Sequence, residues 1–354
     1  MKKTFYTILA IAFLLLPAAV AWSADPIYVA VSAPLTGNYA EYGQNWQKAM
    51  NLAVGWLNAA GGINGRPLEL VYNDSKSDPK DAAALAQKYT SDPKYVAQIG
   101  DFTSTACMAA QPIYDKAGMV HGIIGTQAGE GPFMARYAVE KLGKKKIAVL
   151  YINNDWGIAT KDYFVKPAKD MGADILAIES FFETDKDFTG VLTKLRGYKP
   201  ELLYIPSMYN EMALIAKQRE KLGWTDVLLS GPGSLYSPKL LEIGGTSVNG
   251  LYTSAVFFPK DPSPAVQKFV KGYEEKYKST PNMFAAIAYD GANLMAETIR
   301  KAGTNRKAIR DELAKTKDFV GVTGKIAFTE QRDVVKDYRH LVIKNVEFVL
   351  YEGK

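Results

Sequence analysis

Gly100-Asp101-Phe102-Thr103-Ser104-Thr105 brings together groups able to hold an anion. Gly100 ends a strand, Asp101 to Thr105 turns, and Ala106 to Lys116 reads as a helix. Free backbone N–H groups and the Ser104 and Thr105 hydroxyls therefore converge at one helix start, where the helix dipole favours negative charge. The same hydroxyls equally suit ordinary helix capping. Other chemistries lack their parts. The only histidines are His121 and His340, far apart in sequence. There is no Gly-x-Ser-x-Gly elbow, Walker loop or metal-ligand spacing, and no Gly-x-Gly-x-x-Gly follows the first strand. Cys107 begins a helix without an evident base. It reads as a buried structural thiol or, paired with His121, as a nucleophile. As the sole cysteine it allows no intrachain disulfide. The expectation is no metal, no cofactor and no enzyme.

The elements that position these groups alternate. A strand at Ile27 to Val31 runs into the turn Ala33-Pro34-Leu35-Thr36-Gly37, at the carboxyl edge of a sheet where open α/β folds hold ligands. Trp46, Ala49, Met50, Ala53, Val54 and Leu57 recur at helical steps and form one buried face. Gly61 and Gly62 stop that helix. Strand, helix and strand in so short a span must run parallel with a crossover. A second series follows: strands at Lys146 to Tyr151, Asp174 to Ser180, Leu202 to Ile205 and one ending at Ser230, with helices at Ile158 to Met171, Phe188 to Arg196 and Glu211 to Leu222. Two such series imply two doubly wound lobes. Helices at Pro264 to Lys278, Met283 to Ala302 and Arg306 to Lys315 precede short strands at Gly324 to Phe328, Leu341 to Lys344 and Glu347 to Tyr351. This strand-poor tail must complete lobes already begun.

Lys2 and Lys3 precede an apolar run from Ile8 to Val20, with small residues at Ala19 and Ala21. That pattern reads as a secretory signal peptide, with cleavage after Ala21, Ser23 or Ala24. The run is shorter than the ~20 residues a bilayer span needs. The net charge of +6 includes both lysines, leaving +4 without a long basic block, so nucleic-acid binding is not expected. Lys144 to Lys146 read as a solvated helix end.

Ala33-Pro34-Leu35-Thr36-Gly37 with Tyr42-Gly43, then Ala60-Gly61-Gly62-Ile63-Asn64-Gly65, Tyr72-Asn73-Asp74, Gly100 to Thr105, Tyr289-Asp290 and Gly321-Val322-Thr323-Gly324 fall in one order. The mature chain resembles the branched-chain amino acid binding proteins of ABC transporters, of the Leu/Ile/Val type, in the type I periplasmic binding protein class. The resemblance implies an α/β fold of two Rossmann-like lobes joined by three crossing strands around a central ligand cleft. It divides the chain into a signal peptide at 1–24, one lobe at 25–122 plus 254–318, and another at 123–253 plus 319–354. It further implies a periplasmic, monomeric receptor that binds an amino acid or related small carboxylate by lobe closure and delivers it to permease subunits. A ligand-sensing module for a signalling partner and a cleft hydrolase are the alternatives.

By the same resemblance Ser104 and Thr105 hold the ligand's carboxylate. Tyr42 walls the first lobe's pocket, and Trp156 and Tyr209 close over ligand from the second; each aromatic otherwise packs in its core. Asp290 is a ligand contact, a hinge contact or a structural helix residue. Two departures stand out. Gly233 occupies the position where relatives carry the glutamate that receives the ligand's ammonium. Either Asp101, Asp155 or Asp290 replaces it, or the ligand carries no ammonium, because a buried cation without an anionic partner is costly. Tyr236 is placed to fill the vacated space. The segment from Gly118 to Gly125 is also shorter than in relatives, with Met119 to Ile124 supplying one strand and His121 an interior or hinge residue.

Overall fold

The computed structural model describes residues 25–120, 127–330 and 333–352. The signal segment, His121 and most of Met119 to Ile124 lie outside the described residues.

β1 (Ile27–Ala33), α1 (Ala40–Ala59), β2 (Leu68–Asp74), α2 (Pro79–Ser91), β3 (Tyr95–Ile99) and α3 (Ser104–Ala117) follow one another in alternation. β1 pairs in parallel with both β2 and β3. The helical periodicity of α1 places Trp46, Ala49, Met50 and Ala53 in the core. Asp78 caps α2, accepting from the Lys80 and Asp81 amides, and Pro79 takes the first-turn place where no N–H is needed. After α3 the Gln98 amide donates to the Val120 carbonyl at 3.1 Å, so the chain turns back beside β3.

The second series runs through α4 (Gln127–Arg136), a π-helical turn at Tyr137–Lys141, β4 (Lys146–Ile152), α5 (Asp155–Asp170), β5 (Asp174–Phe181), α6 (Thr189–Gly197) and β6 (Leu202–Tyr204). It continues through α7 (Tyr209–Lys221), β7 (Leu228–Ser230), α8 (Pro238–Gly244) and β8 (Tyr252–Ala255). Then come α9 (Pro264–Tyr277), α10 (Met283–Ala302), α11 (Arg306–Leu313), β9 (Phe319–Gly321), β10 (Gly324–Phe328), β11 (Val334–Val335), β12 (Arg339–Lys344) and β13 (Glu347–Leu350). The second sheet has the order β13-β12-β8-β7-β6-β4-β5. It is parallel from β5 to β8 and antiparallel where β12 joins β8 and β13 joins β12. β9, β10 and β11 form a small antiparallel sheet.

The tail completes both lobes, as its poverty in strands implies. α10 packs along α1, and the Tyr273 and Tyr277 hydroxyls of α9 reach Asn45 Oδ1 and the Lys48 carbonyl of α1 at 3.0 and 2.7 Å. Arg306 donates to the carbonyls of Tyr89, Thr90, Asp92 and Tyr95, locking α11 onto the first lobe. β12, in contrast, extends the second sheet. The elements after α3 build the second sheet, α9 to α11 after β8 pack back on the first series, and β12 rejoins the second sheet. Among the described residues no helix is long and apolar enough to cross a membrane.

Candidate functional site

Tyr42 stands in the first turn of α1, and the next residue explains how that turn is held. A Cβ at Gly43 would lie 2.1 Å from the Pro34 carbonyl oxygen, so only glycine lets the helix start press on the Pro34 loop. Tyr42 is completely buried. Its ring stacks on Phe102 at 4.4 Å and 17°, meets Phe284 edge-on at 4.7 Å, and tilts against Tyr209 at 5.3 Å. Its hydroxyl donates to the Ser234 carbonyl at 2.9 Å. One aromatic box is therefore built from α1, the loop before α3, the head of α10 and the head of α7, with elements of both lobes contributing.

Tyr209 is the first residue of α7, which begins two residues before the periodicity predicts because polar Asn210 and Glu211 continue the turn. Its hydroxyl donates to the Asn38 carbonyl at 3.4 Å, and burial pushes it up to about 12. Asn38 Nδ2 donates to Glu183 Oε1 at 3.2 Å, a second bond from the loop before α1 to the other lobe.

Thr103, not Ser104 or Thr105, caps α3: its Oγ1 accepts from the Ala106 amide at 3.4 Å. The two hydroxyls assigned to an anion are thus not spent on that cap. Thr105 Oγ1 instead donates to Asp155 Oδ2 at 3.0 Å, crossing to the start of α5. Ser104 is half-buried at the first residue of α3. Trp156 follows Asp155 and packs, partly buried, against the main core. Its turn is fixed by Asn154, whose Oδ1 accepts from the Gly157 amide at 2.8 Å. A Cβ at Gly157 would lie 1.9 Å from the Ile152 carbonyl oxygen, so α5 starts hard against the end of β4.

The remaining candidates sit elsewhere. Asp290 lies inside α10 and accepts from the Val322 and Thr323 amides at 2.8 Å each and from Thr323 Oγ1 at 2.5 Å. Lys336 donates to Thr323 Oγ1 at 2.5 Å, and burial lowers its ammonium to about 8 against the opposing pull of Asp290. Asp290 is thus a joint between α10 and the β9–β10 turn, away from the aromatic box. Tyr236 is buried with its ring edge-on to Phe348 at 4.8 Å. It does not fill the space beside Gly233. Glu130 of α4 does, together with the Met283 methyl and the Ser254 carbonyl: a Cβ at Gly233 would lie 2.9, 3.0 and 3.1 Å from Glu130 Oε1, Met283 Cε and Ser254 O.

Sequence reasoning missed Glu130, Phe102, Phe284 and Ser234. Phe102 lay inside a motif already singled out, whereas a glutamate on a polar helix start gives no signal of being drawn inward. Asp101 is buried, its Oδ1 accepting from Ser77 Oγ and the Phe102 amide at 2.9 and 2.6 Å, and burial raises its carboxyl. Cys107 Sγ points at the Asp101 carbonyl, and burial pushes the thiol up to about 12, which suits packing and not nucleophilic attack. Among the described residues no three His, Cys, Asp or Glu side chains gather as a metal site. A separate cavity of about 470 Å³ is lined by Gly129, Phe133, Arg136, Lys336 and Tyr338 among others, and by none of the predicted site residues.

The family model described as "Periplasmic binding protein" matches residues 26–133 and 119–345. The leucine-, isoleucine-, valine-, threonine- and alanine-binding protein of Pseudomonas aeruginosa is 27% identical over 356 residues, covering 95% of this chain and 92% of its own. Among solved structures, the branched-chain amino acid transporter substrate-binding protein LivJ of Streptococcus pneumoniae, in complex with isoleucine, is 30% identical with a TM-score of 0.84, covering 91% of this chain and 97% of that one. A putative branched-chain amino acid ABC transporter from Rhodospirillum rubrum is 31% identical with a TM-score of 0.71, covering 92% and 99%. With two α/β lobes meeting at an aromatic box and a family match spanning nearly all the described residues, this chain belongs to the periplasmic binding protein family.

Proposed function

We propose that the chain is the receptor of an ABC importer, working in the periplasm after removal of its signal segment. It takes up an amino acid or related small carboxylate between lobes formed by 25–122 plus 254–318 and by 123–253 plus 319–354. The carrying observation is the box itself: Tyr42 and Phe102 from one lobe meet Tyr209 and Ser234 from the other. Ser104 and Thr105 stand at a helix start whose capping is done by Thr103, and they take the ligand's carboxylate. Trp156 and Tyr209 form the apolar cover.

The bonds Tyr42–Ser234, Asn38–Tyr209 and Thr105–Asp155 exist only while the lobes are together. A ligand touching both lobes binds the closed form better and shifts the equilibrium toward it. Closure then presents one surface to the permease. The receptor acts as a monomer and releases its ligand chemically unchanged.

A thermal-shift panel of amino acids, amides and aromatic acids on the mature chain tests this. A true ligand at ~100 times its dissociation constant adds about 2.7 kcal/mol. Joint replacement of Ser104 and Thr105 by alanine removes the shift. Recovery of a converted ligand, or undiminished binding by the double variant, rejects the reading.

A further inference from the structure

Glu130 carries a carboxylate with nothing to balance it. Its Oε1 accepts from the Gly233 amide at 2.6 Å and from the Ser254 hydroxyl, both neutral donors. Among the described residues no Lys, Arg or His forms an ion pair with it, and burial raises its carboxyl above the ordinary range. Glu130 is half-buried in the first turn of α4. An anion so placed is costly unless a cation joins it.

Its neighbours place it beside the aromatic box. Gly233 precedes Ser234, whose carbonyl holds Tyr42, and Met283 precedes Phe284 in the aromatic box. The glycine is what admits Glu130: any side chain at 233 begins with a carbon 2.9 Å from Oε1, inside normal contact. The loop after β7 carries no side chain at 233 and offers its N–H, while α4 delivers an acid to the same spot.

We propose that Glu130 receives the ligand's ammonium group, so that the solute is an amino acid and not a carboxylate lacking nitrogen. This rests on the receptor reading above. The zwitterion then meets opposite charges at its two ends, the α3 start for its carboxylate and Glu130 for its ammonium. Asp101, Asp155 and Asp290 are already engaged by the Ser77 and Phe102 donors, by Thr105, and by the Val322–Thr323 turn.

Calorimetric titration of the mature chain with the twenty protein amino acids, and with the best binder's counterpart bearing hydrogen in place of ammonium, decides it. The amino acid binds at least ~100-fold more tightly than that counterpart, because a site built for a polar group is left unpaired without it. Glu130→Gln loses about that factor for the amino acid and under about threefold for the counterpart. Should Glu130→Gln not fold, Gly233→Ala, which displaces the carboxylate, lowers amino acid affinity at least ~10-fold and spares the counterpart. Equal affinities in parent and Glu130→Gln overturn the assignment. A nitrogen-free carboxylate as the best ligand also overturns it while leaving the receptor reading intact. Binding of no panel member, amino acid or acid, removes both.

Discussion

The Tyr42 hydroxyl donates to the Ser234 carbonyl at 2.9 Å, joining the first helix of one lobe to the loop after β7 in the other. Tyr42→Phe keeps the ring stack on Phe102 but leaves the Ser234 carbonyl without this donor. The expected loss is about 1–2 kcal/mol, read by urea denaturation. Because the bond spans the lobes, small-angle scattering of the ligand-free variant shifts toward a more open average shape. Unchanged stability together with an unchanged profile rejects the bond's role.

Thr105 and Asp155 make a second, more exposed link between lobes. Thr105→Val removes the donor with little change of shape. Ligand-free stability stays within about 0.5 kcal/mol of the parent, as for surface changes generally. Affinity for the cognate solute falls at least about fivefold, since the closed form loses this link, about 1 kcal/mol, and the ligand's carboxylate loses the Thr105 hydroxyl as well. A Kd equal to the parent's rejects the prediction.

Asp290 holds three donors and sits where Gly321 can bring no side chain: a Cβ there would lie 2.3 Å from its carboxylate carbon. Gly321→Ala forces that turn away. Asp290→Asn points an amide N–H₂ at donors already aimed inward and leaves Lys336 without its counter-charge. Each costs about 2–4 kcal/mol by chemical denaturation. A cost below about 0.5 kcal/mol for either argues that the turn is not anchored there.

His340 stacks on Phe133 at 4.2 Å and tilts against Tyr137 at 4.1 Å. Burial, with Lys141 and Arg136 nearby, lowers its imidazolium to about 4. A depressed folded value means stability is full above the unfolded value near 6.5 and is lost as pH falls through about 4. His340→Phe removes that loss. The stability of the variant relative to the parent therefore rises as pH drops from 6.5 to 4 and is level above 7, as read by urea midpoints across that range. A difference that stays constant with pH contradicts it.

The fold was legible where periodicity and stop signals coincide. α1 keeps its predicted face, α10 spans the predicted Met283 to Ala302, and β7 ends at Ser230. α5 was read three residues short because Asn154, the residue that starts it, lies in a polar loop whose capping geometry periodicity does not report. α2 and β8 went unread: α2 is alanine-rich and weakly patterned, and β8 has four residues. The site was legible only in part. Tyr42 and Tyr209 meet, yet what unites them is Phe102 and Phe284, ordinary core residues until the lobes are placed together. Glu130 had no sequence signal, since its partner Gly233 lies 103 positions away.

The return of α10 to α1, and of β12 to β8, carries a cost during synthesis. Until roughly its last hundred residues have emerged, neither sheet has its full cover, and such distant pairings form slowly. Long-range pairings of this kind leave a nascent chain incompletely folded until its last segments emerge. Fragments cut before β12 expose the raw edge of β8, the kind of surface that seeds aggregates.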